Sequence, residues 1–364
     1  MQSKDINAIT KALTTHNLLI IGNGFDLHLG LSSSFSSFFR TYYLMHDGSF
    51  DPNCNNIFAY LLYLRYFAEA LPNSFLRRVY EDNPNWMDVE SFIKKLATDH
   101  ELFLSIYECL KYKNSGGFPS SFNIHAISLS KKFKNKGIDG NKYDYSTLDN
   151  ILSDDLTDFE NQFVEYIKNQ LAMHGNYQSD ACDFVYKILK SINDIDDSLG
   201  IQILNFNYTR VKCRYFAEAN VHGTLFNKIV IGYDSTTKEI DDKDVYQLSK
   251  DWRKLSIPFE YQYPISELNV IIVYGHSLGV QDYPYFFEIL DKCNFLENDD
   301  IKLFLCYSLH GKNDYEKKRN FDIYQMNASK MLNAYERYCE SDKQRNTIIS
   351  SLKLSKRIEL VEVI

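Results

Sequence analysis

An apolar run that ends in closely spaced glycines restricts the fold of this chain more than any other feature. Leu18–Ile21 carries no polar alternation and leads directly into the segment Gly22–Asp26, with the sequence GNGFD. Such a run is typical of a strand buried on both faces, as in a parallel sheet. Two glycines one residue apart let the backbone turn sharply and approach a phosphate or a ribose. The third glycine of the dinucleotide-binding fingerprint is absent, since Leu27 occupies its place. The segment predicts either a nucleotide-binding α/β domain or an ordinary tight turn between a strand and a helix.

The composition is that of a globular protein and narrows the class of partner. The chain has 364 residues, 45% hydrophobic and 24% charged, enough for one large domain with an insertion or for two domains. The net charge of -8 gives no reason to expect nucleic acid as the main partner. The seven cysteines form no C-x-x-C pair, which argues against a zinc ribbon and predicts reduced thiols. Because the sequence has no apolar leader and no run of transmembrane length, we expect a cytoplasmic protein with no membrane contact. We also expect no metal.

Strand-like runs flank a long helical region. They return after residue 195, at Ile201–Phe206, Lys228–Tyr233, Leu268–Tyr274, Ile301–Tyr307 and Arg357–Val363. Apolar residues between Leu148 and Leu171 recur at steps of three and four, which predicts one face of a long amphipathic helix. We therefore predict an α/β nucleotide-binding domain from residues 17–40 plus 200–364, and a helical insertion domain over residues 41–199.

Polar residues follow several of these strands. Asn205 and Asn207 end one run, His222-Gly223 follows Val221, and the segment Gly275–Gly279 follows another. Because the carboxyl ends of parallel strands lie along one edge of a sheet, these residues predict a polar ligand site there. The alternative is that His222-Gly223 forms only a turn and that Asn207 only caps a helix.

The segment Gly275–Gly279 also matches the G-x-S-x-G nucleophile elbow of serine hydrolases. Asp291 and His310 would then complete a catalytic triad with Ser277. The interval from Ser277 to His310 is short for the remaining elements of that fold, and Pro284 stands where a helix should pack tightly on the sheet. We prefer the alternative in which Ser277 and the nearby backbone N–H groups hold a ribose or a phosphate.

An ordered set of these motifs resembles the AbiH abortive-infection family. It consists of Gly22–Leu27, Asn205–Thr209, His222-Gly223 and Gly275–Leu278, together with Asp282 and Tyr285-Phe286. Trp86, Asp88 and Glu90 are similar to a W-x-D-x-E pattern of that family. The spacing of His28-Leu29-Gly30 departs from the family pattern, in which glycine follows histidine directly. The resemblance implies a role in bacterial defence against phage, with a phage-derived component as the expected trigger.

The same blocks resemble, more distantly, the NAD-binding domains of sirtuins. This resemblance implies a sirtuin-like, Rossmann-type parallel sheet, with the helical region as a large insertion. It implies catalytic roles for Asn207 and for His222 as a general base. The residues it places around the nucleotide are Gly22, Asn23, Gly24, Phe25, Asn205, Gly223, Gly275, His276, Ser277 and Asp282. Thr209 stands where sirtuins have aspartate, and their four-cysteine zinc ribbon is missing, which argues against acyl-lysine chemistry.

Cleavage of NAD as a substrate, with release of nicotinamide, is the reaction that remains. Asp26 is the residue we expect to stabilise the positive charge that develops on the ribose, and Asp282 is a weaker candidate for that role.

The alternative from another class is a nucleotide sensor that acts through the helical insertion without catalysis. Nuclease or phosphoesterase activity lacks a cluster of metal-binding carboxylates. Because a constitutive NADase would be lethal, we expect gating, and a homo-oligomer is the expected assembly.

Overall fold

A computed structural model describes residues 17–67, 88–111, 124–138, 145–192, 201–213, 216–233, 246–255, 265–311, 313–339 and 348–364. The described elements, in chain order, are β1 (Asn17–Ile21), α1 (Asn23–His28), α2 (Phe35–Tyr43), α3 (Ile57–Tyr66), α4 (Val89–Thr98), α5 (His100–Lys111), α6 (Ile124–Asn135), α7 (Tyr145–Met173), α8 (Tyr177–Lys190), β2 (Ile201–Asn205), β3 (Phe216–Asn220), α9 (Lys250–Lys254), β4 (Val270–Tyr274), α10 (Tyr283–Lys292), β5 (Lys302–Tyr307), α11 (Asp314–Cys339), α12 (Ile348–Leu354) and β6 (Ile358–Glu362).

One sheet of six strands organises the chain, in the order β3-β2-β1-β4-β5-β6 with every neighbouring pair parallel. Leu19 of β1 lies opposite Ile203 of β2 and Ile272 of β4. Every residue of β1, β2 and β4 is buried, as expected for strands covered on both faces. The predicted α/β class with a parallel sheet is confirmed. The strand order reverses between β1 and β4, and this switch point is where open α/β sheets hold their ligands.

Contacts divide the chain into two compact units. The sheet unit comprises Met1–Leu31, Gln170–Lys228 and Phe259–Ile364, and the helical unit comprises Ser32–Asn169 and Ile229–Pro258. By contact, α8 therefore belongs with the sheet and residues 229–258 with the helices. The predicted domain boundaries remain a prediction, because a unit of contacts is not by itself an independently folding domain.

The two faces of the sheet are covered by different helices. Side chains alternate along a strand, so Leu18 and Ile20 of β1 face one side. There they join the core that α10 and α11 complete. On the other side, the ring of Tyr274 packs against Phe25 of α1 and Phe184 of α8, with centroids 6.4 and 5.0 Å apart. The switch point thus has a distinct set of side chains on each face.

The sequence predicts the long helix correctly and misassigns two strands. α7 covers the periodic segment from Leu148 to Leu171, as predicted. The predicted strand Lys228–Tyr233 is wrong: its apolar residues are buried, but only Tyr233 forms an isolated bridge, to Ser249. The backbone of this segment forms hydrogen bonds with side chains instead of with a neighbouring strand. Ile231 N–H donates to Glu160 (2.6 Å), and the Ile231 carbonyl accepts from Arg253 (2.6 Å). The strand that the prediction misses is β3, which is mostly half-buried and lacks a long apolar run.

The prediction that the cysteines are reduced is also wrong for one pair. Cys182 of α8 and Cys213 form a disulfide, with Cα atoms 5.7 Å apart. The pair forms because α8 runs beside the segment 209–213, a proximity that no spacing rule reveals. Gln178 joins the same two segments, donating to the Arg210 carbonyl (2.8 Å) and accepting from Lys212 N–H (2.9 Å).

In the helical unit, two acidic residues of the W-x-D-x-E pattern make internal contacts, and Trp86 lies outside the described residues. Asp88 caps α4 by accepting a hydrogen bond from Ser91 N–H at 2.9 Å. Glu90 forms a 2.8 Å ion pair with Lys250, whose side chain is fully buried. These contacts give Asp88 and Glu90 structural roles within the unit.

Candidate functional site

The glycines after β1 pack against the loop after β4. Gly22 N–H donates to the Tyr274 carbonyl (3.1 Å) and Gly24 N–H to the Gly275 carbonyl (2.7 Å). A Cβ on Gly22 would come within 2.6 Å of His276 Cα, and one on Gly24 within 2.8 Å of Gly275 Cα. Gly275 itself has a φ of +65°, which favours glycine. The structure therefore explains these glycines by close backbone packing, and their contact with a phosphate remains a prediction.

The loop after β2 is held by asparagine side chains. Asn205 donates to the Thr209 carbonyl (2.9 Å) and to Glu218 (2.7 Å), and its own side-chain oxygen accepts from Asn207 N–H (2.8 Å). Asn207 is buried and donates to the Gly22 carbonyl at 3.1 Å. Asn207 thus ties the β2 loop to the β1 loop, and its predicted contact with a ribose remains untested.

Asp26 lies in a buried group of hydroxyls. It is 1% exposed and accepts hydrogen bonds from Tyr177 Oη (2.5 Å) and from Thr209 Oγ1 (3.0 and 2.9 Å). Burial raises the pKa of Asp26 to about 7 despite these hydrogen bonds. The carboxyl group therefore joins α1, α8 and the β2 loop, a structural role that the sequence does not reveal. Its predicted catalytic role remains a prediction.

A histidine–aspartate–histidine cluster brings together residues that follow β3 and β4. Asp282 Oδ1 lies 3.7 Å from His222 Nε2, and Asp282 Oδ2 lies 3.4 Å from His276 Nε2. Both histidines are nearly buried. Leu278 N–H donates to His276 Nδ1 at 2.9 Å, so a neutral His276 carries its proton on Nε2, facing Asp282. Asp282 occupies the N-cap of α10 without a side-chain capping bond, so its carboxylate is directed to the histidines.

Aromatic rings surround this cluster. Phe206 contacts both imidazoles edge to face, with centroids 5.5 Å from His222 and 4.5 Å from His276. Tyr285 and Phe286 of α10 add one further ring contact each, to His222 and to His276 respectively. These rings limit the access of water and fix the orientation of both imidazoles, which is what a proton-transfer site requires.

The remaining predicted site residues lie around this edge in different settings. Gly223 has a φ of +84°, so His222-Gly223 does form a turn while His222 reaches the cluster. Phe25 is fully buried, Asn23 is half-buried and Ser277 is exposed. His310 donates from Nδ1 to the Ser308 carbonyl at 2.9 Å, and no hydrogen bond joins Ser277 Oγ to a histidine among the described residues. The serine-hydrolase alternative thus gains no support from the geometry.

The fold and this edge define an α/β protein with a candidate proton-transfer site at the carboxyl ends of a parallel sheet. Over residues 18–307 the sequence matches the family described as Bacteriophage abortive infection AbiH. Because the match covers most of the chain, the protein belongs to this family, and the predicted resemblance is confirmed. Membership implies a role in abortive infection by phage. Comparison with curated proteins and with solved structures finds no match.

No described helix combines the length and apolar character needed to cross a membrane. Among the residues that the structure describes, no three His, Cys, Asp or Glu side chains form a group suited to a metal ion.

Proposed function

We propose that this AbiH protein acts in abortive infection by cleaving NAD⁺ at the bond between nicotinamide and ribose. The observation that carries the proposal is the cluster of His222, Asp282 and His276 at the carboxyl edge of an all-parallel sheet. The strand order 3-2-1-4-5-6 is that of the Rossmann-type fold, which supports a dinucleotide as the ligand. The predicted sirtuin-like pocket is part of this proposal.

For this reaction the protein must supply a base that accepts the proton of the attacking water. Nicotinamide leaves as a neutral ring and needs no proton. Water attacks ribose C1′, the C1′–N bond breaks, and its electron pair neutralises the positive charge of the nicotinamide ring. The proton of the water passes to His222, giving nicotinamide, ADP-ribose and H⁺. Imidazole has an ordinary pKa near 6.5 and accepts a proton effectively at neutral pH.

Asp282 and His276 support this proton transfer. An imidazolium on His222 is stabilised by the Asp282 carboxylate, whose Oδ1 lies 3.7 Å from His222 Nε2. His276 presents Nε2–H to the other carboxylate oxygen and so holds Asp282 in place. Asn207 orients the ribose in this proposal, and the buried Asp26 keeps the β2 loop in position.

The test is the NAD content of infected bacteria that express the wild-type chain, the His222→Ala variant or the His46→Ala variant. His46 is an exposed histidine of the helical unit and serves as the matched control. We expect NAD to fall and nicotinamide to rise after infection with the wild type and with His46→Ala, and not with His222→Ala. Effective defence with unchanged NAD would reject cleavage. Defence that survives both His222→Ala and Asn207→Ala would favour the predicted non-catalytic sensor.

A further inference from the structure

A second group of polar side chains lies at the same switch point, on the face that carries α1 and α8. His28 Nδ1 lies 3.1 Å from Tyr274 Oη, which lies 2.9 Å from Ser308 Oγ, and Ser308 Oγ donates to the Val363 carbonyl at 2.8 Å. The chain of hydrogen bonds joins α1 and the ends of β4, β5 and β6. It is built from residues that neither the predicted site nor the histidine–aspartate cluster uses.

The direction of each hydrogen bond in this chain follows from the Val363 carbonyl at its end. A carbonyl cannot donate, so the Ser308 proton goes to Val363. Tyr274 must then donate to Ser308, and its oxygen accepts from His28 Nδ1–H. His28 therefore has a fixed tautomer in which Nε2 is the nitrogen available to a ligand. The ring also stacks on Phe184, with centroids 3.9 Å apart, so its orientation is fixed as well.

Lys187 and His310 both interact electrostatically with His28. Lys187 lies one turn beyond Phe184 on α8, and His310 follows Ser308 by two residues, donating from Nδ1 to the Ser308 carbonyl. His28, Lys187 and His310 are all exposed. Partial burial of the ring lowers the pKa of His28 below its usual value, and Lys187 and His310 lower it further. An anion placed among these three groups would reverse that effect.

Three backbone N–H groups after β1 are already engaged in hydrogen bonds within the protein and are not available to a phosphate. The N–H groups of Gly22, Gly24 and Phe25 donate to carbonyl oxygens of the protein, at 3.1, 2.7 and 2.9 Å. A nucleotide in the crevice therefore needs other partners for its phosphates. We propose that His28, Lys187 and His310 form an anion subsite for a phosphate group of the nucleotide, with Tyr274 and Ser308 as positioning residues. This inference rests on the proposed function, because it assigns the phosphate end of the same ligand.

The test uses the full chain with inorganic pyrophosphate, ADP-ribose and NAD⁺ as probes. Binding is measured by calorimetry for the wild type, His28→Gln, Lys187→Gln and a control, Lys292→Gln. Lys292 is an exposed lysine on α10, which packs on the opposite face of the sheet. Loss of one charge-assisted contact should weaken each probe about tenfold or more in His28→Gln and Lys187→Gln, with the control unchanged. Equal binding by all four proteins, or no pyrophosphate binding by the wild type, would overturn the subsite.

Nitrogen NMR of the imidazoles separates a binding role from a structural one. We expect His28 to carry its proton on Nδ1 in the free protein, and its pKa to rise when pyrophosphate is added. Tyr274→Phe should mix the two tautomers while leaving the fold intact, since only a hydroxyl is removed. A free protein with the proton on Nε2, or a pKa that ignores pyrophosphate, would overturn the assignment.

The results also separate this inference from the proposed function. If NAD⁺ binds and is cleaved but His28→Gln and Lys187→Gln change nothing, the subsite is wrong and cleavage stands. If pyrophosphate binding depends on His28 and Lys187 while NAD⁺ is neither bound nor cleaved, the subsite stands and NAD cleavage is wrong.

Discussion

Asp282 lies between two imidazole rings, with Oδ1 3.7 Å from His222 Nε2 and Oδ2 3.4 Å from His276 Nε2. His276 has a tautomer set by Leu278 N–H, and His222 has Nε2 as the atom nearest Asp282. In the proposed mechanism, this asymmetry gives chemically identical side chains different tasks: His276 holds the carboxylate and His222 exchanges the proton. The task of a histidine is set by what its other nitrogen and its neighbours do.

Asp282→Asn should reduce NAD cleavage by about 100-fold or more, because the amide cannot stabilise an imidazolium on His222. The readout is the initial rate of nicotinamide release by the activated protein, with the fold checked by circular dichroism. Asp291→Asn, at an exposed position of the same helix, is the control and should retain the wild-type rate. A rate within twofold of wild type for Asp282→Asn would contradict the assignment.

Asp26 makes the stability of the protein depend on pH. Its pKa is raised from 3.8 to about 7 by burial, so the folded protein keeps a proton that the unfolded chain releases above about pH 4. The contribution of Asp26 to stability is therefore greatest below about pH 4 and falls as the pH rises towards 7. Asp26→Asn should remove up to about 4 kcal/mol of this fall, because the amide does not ionise and keeps its shape.

Urea unfolding of the wild type and Asp26→Asn at about pH 5 and pH 7.5 measures the part of this fall that lies between the two pH values, about 2.5 kcal/mol. Asp149, whose pKa burial raises to about 6, contributes to the fall in both proteins and cancels in the comparison. An identical loss of stability in the two proteins would show that Asp26 ionises as readily in the folded state as in the unfolded chain.

At the scale of elements, α8 fastens the β2 loop and the residues that follow it. Tyr177 reaches Asp26, Gln178 pairs with the backbone of Arg210 and Lys212, and Cys182 is bonded to Cys213. These contacts occur along one side of one helix. The loop that carries Asn207 is thus positioned by α8 as well as by its own asparagine side chains.

Replacing Cys182 and Cys213 by serine should lower the free energy of unfolding by roughly 2–4 kcal/mol, since the disulfide spans 31 residues. Dithiothreitol should cause a similar loss in the wild type and none in the double variant. Cys54→Ser, at a thiol outside the pair, serves as the control. A wild type that is equally stable with and without reductant would contradict the role of this bond.

The helical unit depends on a buried ion pair. Arg253 donates to both carboxylate oxygens of Glu160, at 2.8 and 2.6 Å, and each side chain is 3% exposed. Arg253→Ala should destabilise the protein by about 3–5 kcal/mol, because it leaves a buried charge without compensation. Guanidinium unfolding measures the loss, and Lys254→Ala is the neighbouring control. The double variant Arg253→Met with Glu160→Leu should recover much of it, whereas additive losses would contradict the explanation.

At the scale of the whole molecule, the strand order reverses between β1 and β4, and a group of polar side chains lies on each face of the sheet at this switch point. His222, Asp282 and His276 lie with the core of α10 and α11, and His28, Tyr274 and Ser308 lie with α1 and α8. Neither group could be assembled within a single element, because each draws on loops that follow different strands.

NAD⁺ at about 100 times its dissociation constant should stabilise the folded protein by about 2.7 kcal/mol. A thermal unfolding series with increasing NAD⁺ measures this, and nicotinamide alone is the control that lacks phosphates. An unfolding temperature that does not move with NAD⁺ would contradict nucleotide binding by the whole chain.

The sequence by itself determined the elements whose pattern is local. Apolar runs such as Leu18–Ile21 identify strands because a parallel sheet buries both of their faces, and α7 follows from its period. The motifs at the strand ends identified the family, and they predicted the edge of the sheet that carries the candidate site. The same motifs predicted His222, His276 and Asp282 as site residues, but they did not predict that the three side chains form a cluster.

The tertiary structure decided what depends on residues far apart in the chain. Tyr177 and Asp26 are 151 residues apart, and Tyr274 and His28 are 246 apart, so no local pattern could pair them. Lys228–Tyr233 looks like a strand but bonds to Glu160 and Arg253, and β3 looks irregular but pairs with β2. An apolar run specifies burial, whereas the hydrogen-bond partner of a buried group depends on what the rest of the fold places beside it.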